Sequence, residues 1–189
     1  SMIANIPNMV YLAPSNAEEY IAMLDWALDQ DKHPVYIAIP SGPVIHAEGS
    51  VRTNFDALNT YEVTRKGSKV AVLALGDFYD LGEKTVEALS STLGIEATLV
   101  KPYFASGVDQ DLLDNLVKDH DVIVTIEDGI IEGGWGQNIA SYLGTSPARV
   151  LNYGVKKAFY DRVNIADLMR ESHLEPELIA ADVKQVLGL

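Results

Sequence analysis

The sequence predicts an α/β fold, with a mostly parallel sheet, one antiparallel edge strand and helices on both faces. Two apolar runs, residues 70–75 and 122–126, are rich in β-branched residues, as strands buried on both faces are. Segments with helical periodicity, about 10–15 residues long, separate these runs from other short apolar runs. Strands that alternate with helices of this length form largely parallel sheets with right-handed crossovers.

The beginning of the chain, residues 1–42, has the pattern of one strand–helix–strand unit. Residues 9–13 form the first apolar run, and Ser15 followed by Glu18 is a capping box that predicts a helix start. The second strand is predicted at residues 35–39, before a Pro-Ser-Gly-Pro stop. Three apolar residues mark the helical face that we expect to be buried: Ile21, Leu24 and Leu28.

The regular pattern of strand and helix signals ends after this unit, which predicts a domain boundary. Residues 43–60 show no sustained period and are predicted to be a linker. Residues 1–42 are too few to bury a core alone, so we interpret them as the C-terminal remnant of one domain. Residues 61–189 are then the second domain.

The second domain resumes the alternation of strands and helices. Its strands are predicted at residues 61–65, 70–75, 97–100, 122–126 and 149–152. Its helices are predicted to begin at or near Asp80, Asp109, Asn138, Asn164 and Pro176. The first strand is joined to the second by a short Lys66-Gly67 turn, so we expect these two to pair antiparallel at the sheet edge.

The segment after the central strand is the candidate site. It contains Glu127, Asp128 and then the glycines Gly133, Gly134 and Gly136 before a helix. Glycines at the start of a helix allow backbone amides to approach a diphosphate, which would suggest dinucleotide binding. The third glycine of that fingerprint is absent, however, and the neighbouring acids repel phosphate. We therefore favour glycines that allow a tight strand-to-helix crossing.

The two acids and the tryptophan of this segment each permit two interpretations. Glu127 and Asp128 could perform acid–base chemistry, but neighbours along a strand point to opposite faces. We favour carboxylates that accept hydrogen bonds from loop amides. Trp135 fits core packing and an interface anchor equally well.

Composition excludes several classes of function. The chain has 14 Lys and Arg against 27 Asp and Glu, a formal charge of −13, which argues against nucleic-acid binding. No apolar run is long enough to span a membrane. The absence of cysteine fits a reducing, cytoplasmic location and excludes thiol catalysis. The four histidines are far apart in sequence, so no metal site is predicted.

Three motifs resemble one enzyme family. Residues 6–15, IPNMVYLAPS, look like a segment of the pyrimidine-binding domain of 1-deoxy-D-xylulose-5-phosphate synthases. Residues 124–136, with VTIED followed by GGWG, are similar to the C-terminal domain of these synthases and of the transketolase superfamily. Residues 150–154, VLNYG, with Phe159, resemble a third run of the synthases. The resemblance extends over nearly the whole chain.

The resemblance implies a thiamine-diphosphate- and magnesium-dependent transferase that condenses pyruvate with glyceraldehyde 3-phosphate in isoprenoid precursor synthesis. It implies a homodimer whose cofactor is bound by upstream N-terminal domains. Residues 1–42 would be the end of the pyrimidine-binding domain and residues 61–189 the transketolase C-terminal domain. The resemblance therefore implies no catalytic residue and no cofactor in this chain, which would be structural and dimerising, and inactive alone.

The chain departs from the family at the end of the second strand. The family has arginines where this sequence has Ala38 and Ser41. The resemblance makes Ser41 a substrate-binding position, because a guanidinium there would match a sugar phosphate. Because Ser41 carries no charge, we expect weaker binding of a phosphorylated substrate at this position.

Two further functions stay open at this point. The chain could be a stand-alone C-terminal subunit of a split transketolase. It could also be a non-catalytic scaffold domain.

Overall fold

The computed structural model describes residues 2–39 and 42–189 and divides them into seven strands and six α-helices. The strands are β1 (Val10–Leu12), β2 (Val35–Ile37), β3 (Glu62–Arg65), β4 (Lys69–Ala74), β5 (Thr98–Lys101), β6 (His120–Ile130) and β7 (Arg149–Val155). The helices are α1 (Ala17–Asp29), α2 (Tyr79–Leu93), α3 (Gln110–Leu116), α4 (Trp135–Tyr142), α5 (Ile165–Glu171) and α6 (Pro176–Leu187). Two short 3-10 helices are Ile3–Asn5 and Gly76–Phe78.

The main sheet has the strand order β3-β5-β4-β6-β7. Strands β5, β4, β6 and β7 run parallel, and β3 is antiparallel at the edge. Helices α2 and α6 pack on one face of this sheet, and α3 and α4 pack on the other. The predicted fold class is therefore confirmed.

The partner of the edge strand differs from the prediction. β3 pairs with β5, not with β4, because β4 is apolar and buried from Val70 to Ala74 and takes a parallel neighbour on each side. The chain reaches β4 by crossing the start of β5, where Gly67 donates its backbone N–H to Thr98 Oγ1 at 3.0 Å. A Cβ at Gly67 would lie 2.0 Å from the Glu96 carbonyl oxygen, so only glycine allows this crossing.

Three helices begin at residues other than those predicted. α1 takes Asn16 as its N-cap, with the Asn16 side chain accepting from the Glu19 N–H at 2.9 Å. α2 begins directly after the 3-10 helix Gly76–Phe78, so Asp80 is within its first turn. α4 begins at Trp135 instead of Asn138, because a carboxylate from β6 caps it there. The predicted starts of α3, α5 and α6 are confirmed.

The predicted inward face of α1 is wrong. Ile21, Leu24 and Leu28 are exposed, and the buried side of the helix carries Met23 and Trp26 instead. The larger side chains on that side pack into a cluster with segments far along the chain, which helical periodicity alone does not reveal.

Helix α1 and the two parallel strands β1 and β2 form one βαβ unit that packs on the rest of the molecule. Leu12 forms an isolated antiparallel bridge with Phe104, which follows β5. Residues 43–60 contain no helix or strand, yet Phe55 is fully buried in the same cluster as Phe104 and Trp26. The predicted division at residues 42 and 60 stays a prediction.

Candidate functional site

The carboxyl end of β6 carries the two acids that the sequence points to. β6 continues to Ile130, so Glu127 and Asp128 lie within the strand and their side chains alternate between its two sides. Glu127 is 7% exposed, whereas Asp128 is exposed. The two carboxyl groups therefore have different surroundings and do not act as a pair.

The Glu127 carboxylate caps helix α4. Its two oxygens accept the backbone N–H groups of Trp135 at 2.9 Å and Gly136 at 2.8 Å. These amides open the helix and have no intrahelical acceptor, and the N-cap residue Gly134 has no side chain to supply one. Burial raises the pKa of Glu127, and the two N–H bonds oppose that effect.

Two glycines allow this contact because any side chain would collide with it. A Cβ at Gly134 would lie 2.6 Å from Glu127 Oε1 and 2.7 Å from the Ile130 carbonyl oxygen. A Cβ at Gly136 would lie 2.4 Å from Thr125 Oγ1. The chain therefore needs glycine at both positions for close approach between α4 and β6.

Gly133 has a different role. Its φ of +75° is in the left-handed region, which glycine adopts without a steric penalty. Its N–H donates to Gln137 Oε1 at 2.7 Å, so the loop is tied to the first turns of α4.

The same contacts argue against a diphosphate at this helix. The amides of Trp135 and Gly136 that would bind phosphate already donate to Glu127. The cavity beside them, of about 340 Å³, is also lined by Asp128 and Glu132, and with Glu127 these acids outnumber the one lysine among its described lining residues, Lys157. Carboxylates at that point repel an anionic ligand.

Trp135 belongs to the core. It is 3% exposed, and its Nε1–H donates to the Tyr61 hydroxyl at 2.9 Å. The Tyr61 hydroxyl in turn donates to the Gly107 carbonyl at 2.7 Å. This chain of bonds connects α4 to the residue before β3 and to the loop between β5 and α3. The interpretation of Trp135 as an exposed interface anchor does not hold for this structure.

A second acidic crevice lies between the main sheet and the βαβ unit. It is lined by Tyr11, Ala38, Leu75, Asp77 and Asp128, at the carboxyl ends of β4 and β6. Burial raises the pKa of Asp77, and the charge of Asp128 raises it further. Among the described residues that line it, the crevice holds two carboxyl groups and no lysine or arginine for a phosphate.

Thiamine diphosphate and magnesium do not fit the residues that the structure describes. Residues 2–39 and 42–189 contain no group of three or more metal-ligating side chains. The strand ends present carboxylates where a diphosphate would need donors. Ser41, the predicted substrate-binding position, lies outside the described residues.

A buried ion pair joins the βαβ unit to β5, and sequence inspection did not find it. Lys101 Nζ lies 2.6 Å from Glu19 Oε1, with the two side chains 14% and 2% exposed. Lys101 also lies over the Tyr79 ring, 4.0 Å from its centroid. The partners are 82 residues apart, so no local spacing could have indicated the pair.

Hydrogen bonds from the predicted linker to Glu18 connect that segment to α1. Its carboxylate accepts the backbone N–H of Ala47 at 2.7 Å and lies 2.8 Å from His46 Nδ1. The Ala47 hydrogen bond, followed by the His46 contact, lowers the pKa of Glu18 to about 2.

This lowered pKa predicts that the attachment fails in acid. Because the folded pKa lies below the unfolded value of about 4.3, the stabilisation is complete above that value. It is lost as the pH falls towards 2. We expect the protection of the Ala47 amide against hydrogen exchange, relative to the intrinsic rate at each pH, to fall over this window in the wild type and to be low at every pH in Glu18→Gln. The control Glu171→Gln, an exposed acid on α5, should behave as wild type; equal exchange in all three would contradict the attachment.

In the described part of the chain, no helix is long and apolar enough to cross a membrane.

The chain belongs to the transketolase C-terminal domain family. The family model described as "Transketolase, C-terminal domain" matches residues 59–179, which run from three residues before β3 into α6. The sheet and the glycine segment described above are both within this range.

Similarity to individual proteins extends over the whole chain. It is 36% identical over 190 residues to 1-deoxy-D-xylulose-5-phosphate synthase from Pseudoalteromonas translucida, covering 100% of this chain and 30% of that protein. It is 27% identical over 194 residues to the synthase from Clostridium tetani, covering 99% of this chain and 30% of that protein. The chain thus spans 30% of the length of these curated relatives.

Two solved structures share the fold. A split-gene transketolase, described as an inactive beta4 tetramer, superposes with a TM-score of 0.79 at 24% identity, covering 100% of this chain and 61% of that chain. A transketolase from Pichia stipitis superposes with a TM-score of 0.70 at 17% identity, covering 96% of this chain and 25% of that chain.

Proposed function

We propose that this chain is the C-terminal segment of a thiamine-diphosphate-dependent, 1-deoxy-D-xylulose-5-phosphate synthase-like transferase. Such an enzyme condenses pyruvate with glyceraldehyde 3-phosphate to give a precursor of isoprenoids. The observation that carries the proposal is the 36% identity to a synthase over the full chain. The family membership of residues 59–179 supports it.

In this proposal the segment has a structural and dimerising role and is inactive alone. Support comes from the glycine segment, whose amides are held by Glu127 and whose glycines are required by close packing. The cofactor and magnesium belong to N-terminal domains, which also supply the catalytic groups. The assembled enzyme is a cytoplasmic homodimer.

A second candidate is the C-terminal subunit of a split transketolase. The favouring observation is the TM-score of 0.79 over 100% of this chain to a split-gene transketolase. That protein is described as an inactive beta4 tetramer, so by analogy this chain would associate with itself when the companion subunit is absent. Catalysis would again need the companion.

Reconstitution with the N-terminal domains tests the proposal. We expect release of carbon dioxide from pyruvate to require both this chain and a polypeptide that carries those domains. We expect no turnover from either one alone. Turnover of a ketose phosphate donor but not of pyruvate would favour the split transketolase, and turnover by this chain alone would refute both.

Ser41 offers a test of substrate recognition in the reconstituted enzyme. A charge-assisted contact to phosphate is worth about 1.5–3 kcal/mol. Ser41→Arg should therefore lower the KM for glyceraldehyde 3-phosphate by about ten- to a hundredfold. The KM for unphosphorylated glyceraldehyde should change little, because it has no phosphate for the guanidinium to bind.

The control for this test is Ser91→Arg, which adds the same charge on the exposed side of α2. Steady-state kinetics with both acceptors should leave this control at wild-type values. An equal change for both acceptors in Ser41→Arg would mean that position 41 does not face the phosphate.

A further inference from the structure

The outward face of α1 carries an uncovered apolar stripe. Ile21, Leu24 and Leu28 recur at helical spacing, and Ile21 is 54% and Leu28 76% exposed. A surface helix normally turns such a stripe to the core, but Met23 and Trp26 on the opposite side already occupy it. The stripe is therefore available to another chain.

A row of acids runs along one flank of this stripe. Glu18, Asp25 and Asp29 follow each other at seven and four residues, so they lie on one side of the helix. Glu18 is engaged with His46 and the Ala47 amide. Asp25 and Asp29 form no ion pair with any residue that the structure describes.

A groove of about 780 Å³ lies beside the acids, between α1 and the segment at residues 46–54. Its lining combines an apolar floor with acids, and includes Ile21, Ala22, Trp26, Val51, Asp25 and Asp29. Of the stripe, Ile21 lines this cavity, whereas Leu24 and Leu28 lie outside it on the neighbouring exposed surface of α1. We call the stripe, the acids and this cavity together the α1 groove.

We propose that the α1 groove binds an amphipathic helix with a basic flank. Its apolar residues, at i, i+3 or i+4, and i+7, would contact Ile21, Leu24 and Leu28, as in helix-in-groove recognition. Lysine or arginine along its flank would meet Asp25 and Asp29. We assign this helix to the companion polypeptide that carries the N-terminal domains, an assignment that rests on the proposed function.

Charge decides between this occupant and a second copy of the chain. A two-fold contact would place the same face against itself, with Asp25 and Asp29 near their own symmetry mates. Asp25 and Asp29 would attract a basic partner, whereas they would repel the same acids of a second copy.

Synthetic helices of about 18 residues test the surface directly. One peptide carries leucines at i, i+3 and i+7 with lysines along the flank; a second has the same leucines with glutamates. We expect calorimetry with the full chain to detect binding of the lysine peptide and at least about tenfold weaker binding of the glutamate peptide. Equal binding of both, or of neither, would overturn the proposal.

Variants test whether peptide binding depends on this groove or only on the net negative charge of the chain. Ile21→Gln/Leu28→Gln removes the apolar contact without a change of charge, and should weaken binding of the lysine peptide by about tenfold or more. Both positions are exposed, so the melting temperature should stay near that of wild type. Asp25→Lys/Asp29→Lys should reverse the preference to the glutamate peptide. The control Glu87→Lys/Glu171→Lys makes the same change of charge on other helices and should keep the preference for lysine; reversal in this control would contradict the groove.

Assembly with the companion polypeptide tests the groove and the proposed function separately. If the two chains assemble, and Ile21→Gln/Leu28→Gln weakens assembly by about tenfold, both are supported. If they assemble equally well with this variant, the groove is refuted while the proposed function stands. If they do not assemble although the lysine peptide binds, the proposed function fails and the surface stands. Self-association of the wild type that the variant abolishes would identify a second copy as the occupant, and so contradict the proposal.

Discussion

Gly136→Ala is expected to destabilise the protein by about 1–3 kcal/mol. Alanine within a helix normally stabilises by roughly 0.5–1 kcal/mol relative to glycine, so the sign of the effect is diagnostic. Here the new Cβ would lie 2.4 Å from Thr125 Oγ1, 3.1 Å from Asn152 Oδ1 and 3.2 Å from Glu127 Oε1. Helix α4 would have to move away from β6, which breaks the contacts that start the helix. In a chain of this length each kcal/mol lowers the melting temperature by about 2–4 °C.

Gly129→Ala is the matched control for this prediction. Gly129 lies in the same segment, but the nearest atom to a Cβ there is Glu127 Oε2 at 3.8 Å, an ordinary contact distance. Thermal melts should leave this variant near the wild type. If Gly136→Ala also melts at or above the wild-type temperature, and only the affinity for a ligand changes, the segment is a binding loop and not a structural one.

Glu127→Ala is expected to cost about 2–4 kcal/mol. The substitution leaves the buried N–H groups of Trp135 and Gly136 without their acceptor, and each unsatisfied group costs about 1–3 kcal/mol. Asp128→Ala, at the next residue of the strand, removes an exposed carboxylate and should change stability by no more than about 0.5 kcal/mol. Chemical denaturation of the two variants compares them directly. Similar losses in both would mean that Glu127 does not cap α4.

The pH dependence of Glu127 has a defined sign. Burial raises its pKa in the folded protein above the unfolded value of about 4.3, so the folded state binds the proton more strongly. The contribution of this group to stability therefore falls as the pH rises from about 4 through the folded pKa. Glu127→Gln lacks this titration, and the stability advantage of wild type over it should shrink across that window. An advantage that grows with pH would show that the hydrogen bonds outweigh burial.

The sequence was sufficient for the fold class because the central strands are uniformly apolar. Residues 70–75 and 122–126 have few alternatives to a strand buried on both faces. The order of the strands was harder to predict from the sequence. A short connection between β3 and β4 normally indicates a hairpin, and only the crossing at Gly67 places β5 between them.

The candidate site was partly visible in the sequence. The glycines and the two acids stood out because they follow a buried strand, but the capping of α4 by Glu127 joins residues eight and nine positions apart across a loop. The Glu19–Lys101 pair and the exposed stripe on α1 could not be predicted. Both depend on which side of α1 faces the cluster around Phe55 and Phe104, and that is decided by tertiary packing.

The central claim is that this chain provides structure while the cofactor chemistry belongs to other domains. Calorimetric titration of thiamine diphosphate with magnesium, into the chain alone and into its mixture with the N-terminal domains, tests it most directly. We predict no binding in the micromolar range to the chain alone, because its helix amides are held by Glu127 and its strand ends carry carboxylates. We predict binding to the mixture. Micromolar binding of the cofactor to the chain alone would contradict the claim.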